Sequence, residues 1–258
     1  MGTVVTVDLY GDGPLDGPEI DAAIDGARGE LEWADRTFST WRVDSPINRL
    51  RRGEIALGEA PSEVADVLDG CRIAKELSGG WFDPWALPDG VDPTGYVKGW
   101  AAARALEALR VEGVEGAMVN AARDIASFGG VGGYPFRVGI VRPDAPGSLA
   151  CVVTLRDSIA TSGDYLRGPH LVNPFSETAT TNVASASVTG PDLALADALA
   201  TALAVGGDEV LARIERIEHY EALTIGFDGV RGWTSGFAFA DVLNRDVLGA
   251  RTRETPAK

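Results

Sequence analysis

Asp197 and Thr201 lie four residues apart in LALADALATALAV, Leu193 to Val205, where every other residue is Ala, Leu or Val. On a helix that spacing puts a carboxylate and a hydroxyl one turn apart on a single face. Both are hard oxygen donors of the kind Mg²⁺ accepts, although two are too few for a metal by themselves. The same carboxylate could instead bond a nearby backbone amide, because a buried polar group needs a partner. Residue types and spacing leave both readings open.

A second constellation is VDPTGYVKGW, which sets Asp92, Thr94 and Gly95 ahead of a helix carrying Lys98 and Gly99 in its first turns. Free N–H groups at a helix start and a lysine one turn in would point at the same anion. Against that stands an ordinary N-cap, with Asp92 or Thr94 closing the helix and Lys98 exposed. His170, in RGPHLVNP, follows Arg167 and Gly168 in a loop. That is a setting for a base, for an imidazole that orients a phosphate, or for plain polar surface. The other histidine, His219, stands where a charged helix gives way to a strand and reads as solvated surface. GGVGGY, Gly129 to Tyr134, lies between strands with no helix after it, so it reads as a hairpin turn and not as a dinucleotide-binding loop.

These residues need elements to position them. Alternation predicts a first strand over about Val4 to Tyr10, then an amphipathic helix over about Ile20 to Asp35. The polar segment FSTWRVDSPINRLRRGE reads as irregular, and further helices are expected near Ser62 to Ser78 and Val97 to Arg110. GAMVNAARDIASFGG reads as strand, tight connection and strand, followed by strands at FRVGIV, LACVVTL, SIATSGDY and VASASVT. The Ala/Leu helix comes next, then a charged helix near Asp208 to Ile217 and two closing strands, YEALTIGF and WTSGFAFA. Helices scattered among hairpin-like strands point to an α+β fold with largely antiparallel sheets rather than a doubly wound one.

Composition bounds the partners. With 258 residues and 45% hydrophobic content the chain can bury a sizeable core, and no apolar run reaches the length needed to cross a bilayer. A formal net charge of −15 without a basic stripe argues against nucleic acid and against an anionic membrane surface, the short apolar runs argue against membrane insertion, and an anionic ligand would need local positive charge or a bound cation. Cys71 and Cys151 have no metal or redox spacing and are expected to be reduced, buried thiols. No signal sequence precedes the first strand, and the expected location is cytoplasmic.

In order along the chain, several stretches resemble the ApbE family, the FAD:protein FMN transferases, in the form of its actinobacterial branch. They are MGT at Met1, RTFSTWRVDSPINRL, GGWFDPW, DPTGYVKGWAAARAL, VNAARDI, ATSGDYLRGPHLVNP and SVTGPDLALADALATALAVGG. The resemblance implies one ApbE-like, T-fold-related domain over the whole chain, with room for two subdomains flanking a groove for FAD. It further implies Mg²⁺ at the pyrophosphate of FAD, and transfer of the FMN half to a Ser or Thr hydroxyl of a partner flavoprotein with release of AMP. FAD binding without transfer, or hydrolysis of FAD to FMN and AMP, are the alternatives.

Residue by residue, the family's metal ligands fall on Asp197, Thr201 and the carbonyl of Gly95. Its flavin- and adenine-contacting positions fall on Met1, Trp81, Phe82, Asp83, Asp92, Lys98 and the loop at His170. The catalytic set carried over is His170, taking the acceptor proton, with Asp197 and Lys98. Two departures stand out. The family's Asn-x-Gly-Gly-Asp is here Asn120-Ala121-Ala122-Arg123-Asp124, and its Asp-Pro-x-Thr-Gly is here Asn173-Pro174-Phe175-Ser176-Glu177. The first replaces two glycines that permit tight backbone geometry, one of them by a long cation.

Overall fold

The structure is a computed structural model that describes residues 3–145, 147–163, 171–176, 178–179, 182–229 and 231–240. The alternating first stretch forms β1 (Val5–Tyr10), and Pro18 in the first turn opens the amphipathic α1 (Pro18–Phe38). The segment expected to be irregular contains α2 (Pro46–Arg51). The Ser45 hydroxyl caps that helix by accepting the Asn48 N–H at 3.2 Å, and Pro46 follows it at the first helical position. A 3₁₀ turn (Leu57–Glu59) leads to α3 (Ser62–Leu77). Next comes α4 (Thr94–Glu107), which starts three residues earlier than the periodicity indicates. Asp92 Oδ1 accepts the Thr94 N–H at 3.0 Å and so satisfies a free donor at that start.

Strands β2 (Gly116–Ala121), β3 (Asp124–Phe128), β4 (Gly130–Val131), β5 (Tyr134–Val141), β6 (Leu149–Leu155) and β7 (Ser158–Ser162) follow, with a short pair β8 (Val172–Asn173) and β9 (Thr178–Ala179). The chain continues through β10 (Ser185–Gly190), α5 (Leu193–Gly206), α6 (Asp208–Ile214), β11 (Glu221–Ile225) and β12 (Arg231–Trp233). GGVGGY is the hairpin turn expected of it: Val131 pairs with Tyr134, and Gly132 and Gly133 both have positive φ. The last expected strand, over Trp233 to Ala240, forms only at its two ends: Trp233 closes β12, and Phe239 makes an antiparallel bridge to Val153 of β6. β12 ends at Trp233 because Thr234 is buried and tied to the neighbouring strand, its Oγ1 accepting the Ala222 N–H at 2.8 Å, and the chain then turns through a Phe237 N–H to Thr234 carbonyl bond.

The fold is α+β, with one seven-stranded sheet in the order β1-β2-β3-β7-β10-β11-β12. Every adjacent pair in it is antiparallel. The two faces of this sheet carry side chains of different size. Toward the helices it presents Ala126, Ala160, Ala186 and Ala222; toward the smaller sheet β4-β5-β6 it presents Ile125, Ile159, Leu223 and Ile225. Alternation along a strand makes this division possible, since successive residues face opposite sides. The helix layer meets the alanine face with alanines of its own, from Ala101, Ala102 and Ala105 of α4 and the repeated Ala of α5. Small residues on both sides let α4 and α5 lie close to the sheet and to each other. α5 is buried nearly all round, and only Leu195 and Thr201 of its residues escape full burial.

Candidate functional site

The site forms where α4 and α5 cross in opposite directions. Gly95 of α4 faces Thr201, its α-carbon placed so that an added methyl would stand 3.4 Å from Thr201 Oγ1 and 3.1 Å from Phe82 Cε2. One turn on, a β-carbon on Gly99 would overlap the backbone of Leu193 at the start of α5. Two glycines four apart on one helix therefore meet the face of the other helix that carries Asp197 and Thr201. The contact brings the Gly99 N–H onto Asp197 Oδ2 at 3.1 Å. Thr201 Oγ1 lies 3.3 Å from Ser162 Oγ at the end of β7.

Lys98 is not the exposed lysine of an ordinary cap. Its side chain is 27% exposed, and its ammonium donates to Asp197 Oδ1 at 3.1 Å while forming an ion pair with Asp124 Oδ2. Both carboxylates are removed from solvent, Asp124 at 0% and Asp197 at 2% exposure. Asp124 opens β3, and its Oδ1 accepts the Thr161 N–H of β7 at 3.0 Å. Burial pushes the Asp197 carboxyl above the ordinary carboxylate range, while the Lys98 ammonium and the Gly99 N–H pull it back. Taken by themselves, the two carboxylates and the ammonium sum to a formal charge of −1.

That donor set fits a small hard cation. Among the described residues no three His, Cys, Asp or Glu side chains gather into a metal cage. A cation here would rest on Asp197 with the neutral oxygens of Thr201 and the Gly95 carbonyl. Mg²⁺ is characteristically held in this way, by one or two carboxylates completed by water and substrate phosphate oxygens. Each Asp197 oxygen that accepts one hydrogen bond keeps a further lone pair.

The remaining expected residues are distributed around this crossing. Phe82 is buried against Gly95. Trp81 packs on Gly206 near the end of α5 and meets the exposed ring of Phe175 edge-on, with centroids 4.8 Å apart. Asp83 pairs with Lys75 at 2.7 Å and accepts the Trp85 N–H at 3.0 Å. Asp92 is occupied in closing the start of α4. Met1 and His170 lie outside the described residues. A depression of about 440 Å³ is lined by Arg72, Lys75, Glu76, Gly79, Gly80 and Trp85, and by none of Lys98, Asp197 or Thr201.

Asp124 joins the cluster without being among the expected site residues; its one signal in the sequence is its place at the end of the family's Asn-to-Asp motif. The departures in that motif have a structural cost. Ala121 and Asp124 pair across a two-residue turn, and Ala122 and Arg123 take φ of 52° and 83°, so the left-handed geometry that glycines would supply is adopted by residues with a β-carbon. Of the second departure, Asn173 ends β8 and Pro174, Phe175 and Ser176 turn away from it, with Asn173 Oδ1 accepting the Phe175 N–H at 2.9 Å.

Comparison with known proteins agrees with this architecture. The model of the ApbE family matches residues 1–89 and 87–224. A curated relative, the FAD:protein FMN transferase of Rhodobacter capsulatus, is 34% identical over 134 residues, 48% of this chain and 25% of the relative. The matched stretch thus spans about a quarter of that relative's length. Among solved structures, the flavin transferase ApbE from Vibrio cholerae superposes with a TM-score of 0.77 at 21% identity, covering 92% of this chain and 95% of that one. The apo form of Pseudomonas stutzeri flavinyl transferase ApbE gives 0.74 at 22% identity, covering 91% and 93%. These two likenesses establish the mixed helix and antiparallel-sheet fold. With the family model matched along most of its length, the chain belongs to the ApbE family.

Proposed function

We propose that this chain is an FAD:protein FMN transferase: it moves the FMN half of FAD to a Ser or Thr hydroxyl of a partner flavoprotein and releases AMP. The observation that carries the reading is the buried cluster of Lys98, Asp197 and Asp124 beside Thr201 and Gly95, where a hard cation and an ammonium can meet a diphosphate. The activity of the Rhodobacter capsulatus relative, an FAD:protein FMN transferase, supports it. In the reaction the acceptor oxygen bonds to the phosphorus of the FMN half, the phosphoanhydride bond breaks, and AMP leaves with the bridging oxygen and its electron pair. The acceptor's proton must pass to a base, a role we give to His170.

Asp197, Thr201 and the Gly95 carbonyl would hold Mg²⁺, which supplies neutralisation of the charge spread over the phosphoryl oxygens. Gly99 fixes the Asp197 carboxylate through its N–H, so the ligand is oriented before substrate arrives. Lys98, whose side chain is 27% exposed, would offer its ammonium to the diphosphate, and its placement on α4 keeps it one turn from the Gly95 backbone. Trp81, Phe82 and Asp83 would border the flavin or adenine ring, with Met1 and Asp92.

The test incubates the protein with FAD, Mg²⁺ and an acceptor domain, then reads AMP and flavin fluorescence that survives denaturation. Transferase activity gives both. AMP without covalent flavin would mean hydrolysis, and bound FAD with neither product would mean a carrier; either outcome overturns the transferase reading. Asp197→Ala and EDTA treatment should each lower turnover by about 10²-fold or more, and full activity in either case removes the Mg²⁺ assignment.

A further inference from the structure

Lys98 touches two buried carboxylates that belong to different elements, Asp124 on β3 and Asp197 on α5. A single ammonium needs only one of them for charge balance, and burying the second adds a desolvation penalty that packing alone does not return. Each carboxylate is also held from behind by a backbone donor, Asp124 by the Thr161 N–H and Asp197 by the Gly99 N–H, both at about 3 Å. The lysine is therefore the movable member of a fixed pair of anions: it has four rotatable bonds, while the carboxylates are tied to a sheet and to a buried helix.

We propose that Asp124 is the positioning residue that retains Lys98 when a divalent cation occupies Asp197. The ammonium then gives up Asp197 Oδ1 to the cation and stays on Asp124, instead of competing with the metal for its only carboxylate ligand or being expelled into solvent. Asp124 thereby keeps the local charge negative enough to draw a cation and keeps the lysine within reach of the same anionic substrate. The inference rests on the metal reading given above and adds to it a role for a carboxylate that is not itself a ligand.

The signs of the expected effects follow from charge. Asp124→Asn keeps an oxygen for the Thr161 N–H and removes one negative charge, leaving Lys98 paired to Asp197 alone. Lys98→Met removes the competing cation while preserving the length of the side chain. Free Mn²⁺ counted by electron paramagnetic resonance, in samples without nucleotide and with ADP standing in for the diphosphate of FAD, reads cation binding without turnover.

Asp124→Asn should weaken Mn²⁺ binding about tenfold in both samples, and Lys98→Met should tighten it about tenfold in the nucleotide-free sample. In the double variant the lysine that Asp124 retains is absent, so Asp124→Asn should cost less than about threefold there and the double variant should bind Mn²⁺ more tightly than the parent. A purely structural role for Asp124, or a role as direct ligand, keeps the full tenfold loss whether or not Lys98 is present and returns the double variant to the parental affinity, and that result overturns the proposal while leaving the metal reading intact. Parental affinity in Asp124→Asn overturns it in the same way. Absence of Mn²⁺ binding by the parent in both samples overturns the metal reading and the proposal together.

Discussion

An ionisable side chain out of water must be paired, neutral or inert, and this chain contains all three cases. Lys98, Asp124 and Asp197 are paired. Tyr96 and Tyr220 stay neutral because burial pushes both phenols up, Tyr220 to about 12. Cys71 and Cys151 are inert: burial pushes the Cys71 thiol up to about 12 and the Cys151 thiol up to about 11. A thiol whose pKa is raised loses thiolate at any given pH, and the thiolate is the reacting species. At pH 8 the native protein should therefore leave both cysteines unmodified by Ellman's reagent over the time in which denatured protein releases two equivalents of chromophore. Rapid release of even one equivalent from folded protein would contradict the buried placement. The expectation of two reduced, buried thiols was available from spacing alone, whereas the pairing of Lys98 with Asp124 was not, because nothing local joins residues 26 positions apart.

Elements were legible where one period ran long enough to be counted. α1, α3, α5 and the β2–β3 hairpin follow the patterns that predict them, and the face shared by Asp197 and Thr201 is the one that meets α4. What failed was short or set by distant contacts. α2 has six residues, and its best signal was chemical rather than periodic, a Ser-Pro pair at its start. The end of β12 is decided by Thr234 bonding across to Ala222. Two predictions belong at this scale. Gly99→Ala would place a methyl against the Leu193 backbone, forcing α4 from α5 and stretching the Gly99 N–H bond to Asp197. Overpacking of this kind destabilises by about 1–3 kcal/mol, and denaturant unfolding should show it together with weaker Mn²⁺ binding. In the β2–β3 turn the change runs the other way. Ala122 and Arg123 hold positive φ, so Ala122→Gly should relieve strain and stabilise the fold by about 1 kcal/mol. A melting temperature lowered by Ala122→Gly would show that the turn is not strained as described.

At the scale of the whole molecule, one sheet separates two cores, and the chemistry lies on the side where alanines allow helices to approach. The chemistry also sits inside a strongly acidic chain, with a formal charge of −15. On the proposed reading, a diphosphate substrate approaching such a surface would meet long-range repulsion, and attraction would begin near Lys98 and a cation held at Asp197. Salt separates the two ranges: the screening length is about 30 Å at 0.01 M and about 10 Å at 0.1 M ionic strength. Raising salt across that interval removes the distant repulsion first and leaves the partly buried contacts largely in place, because buried charges are screened far less. The association rate of FAD, followed by stopped-flow quenching of flavin fluorescence at fixed Mg²⁺, should therefore rise between 0.01 and 0.1 M salt. A protein that steered its anion with a basic groove would slow over the same interval. Slowing here would mean that a local positive field at the mouth of the site outweighs the charge of the whole chain, and that cationic side chains beyond Lys98 face the incoming diphosphate.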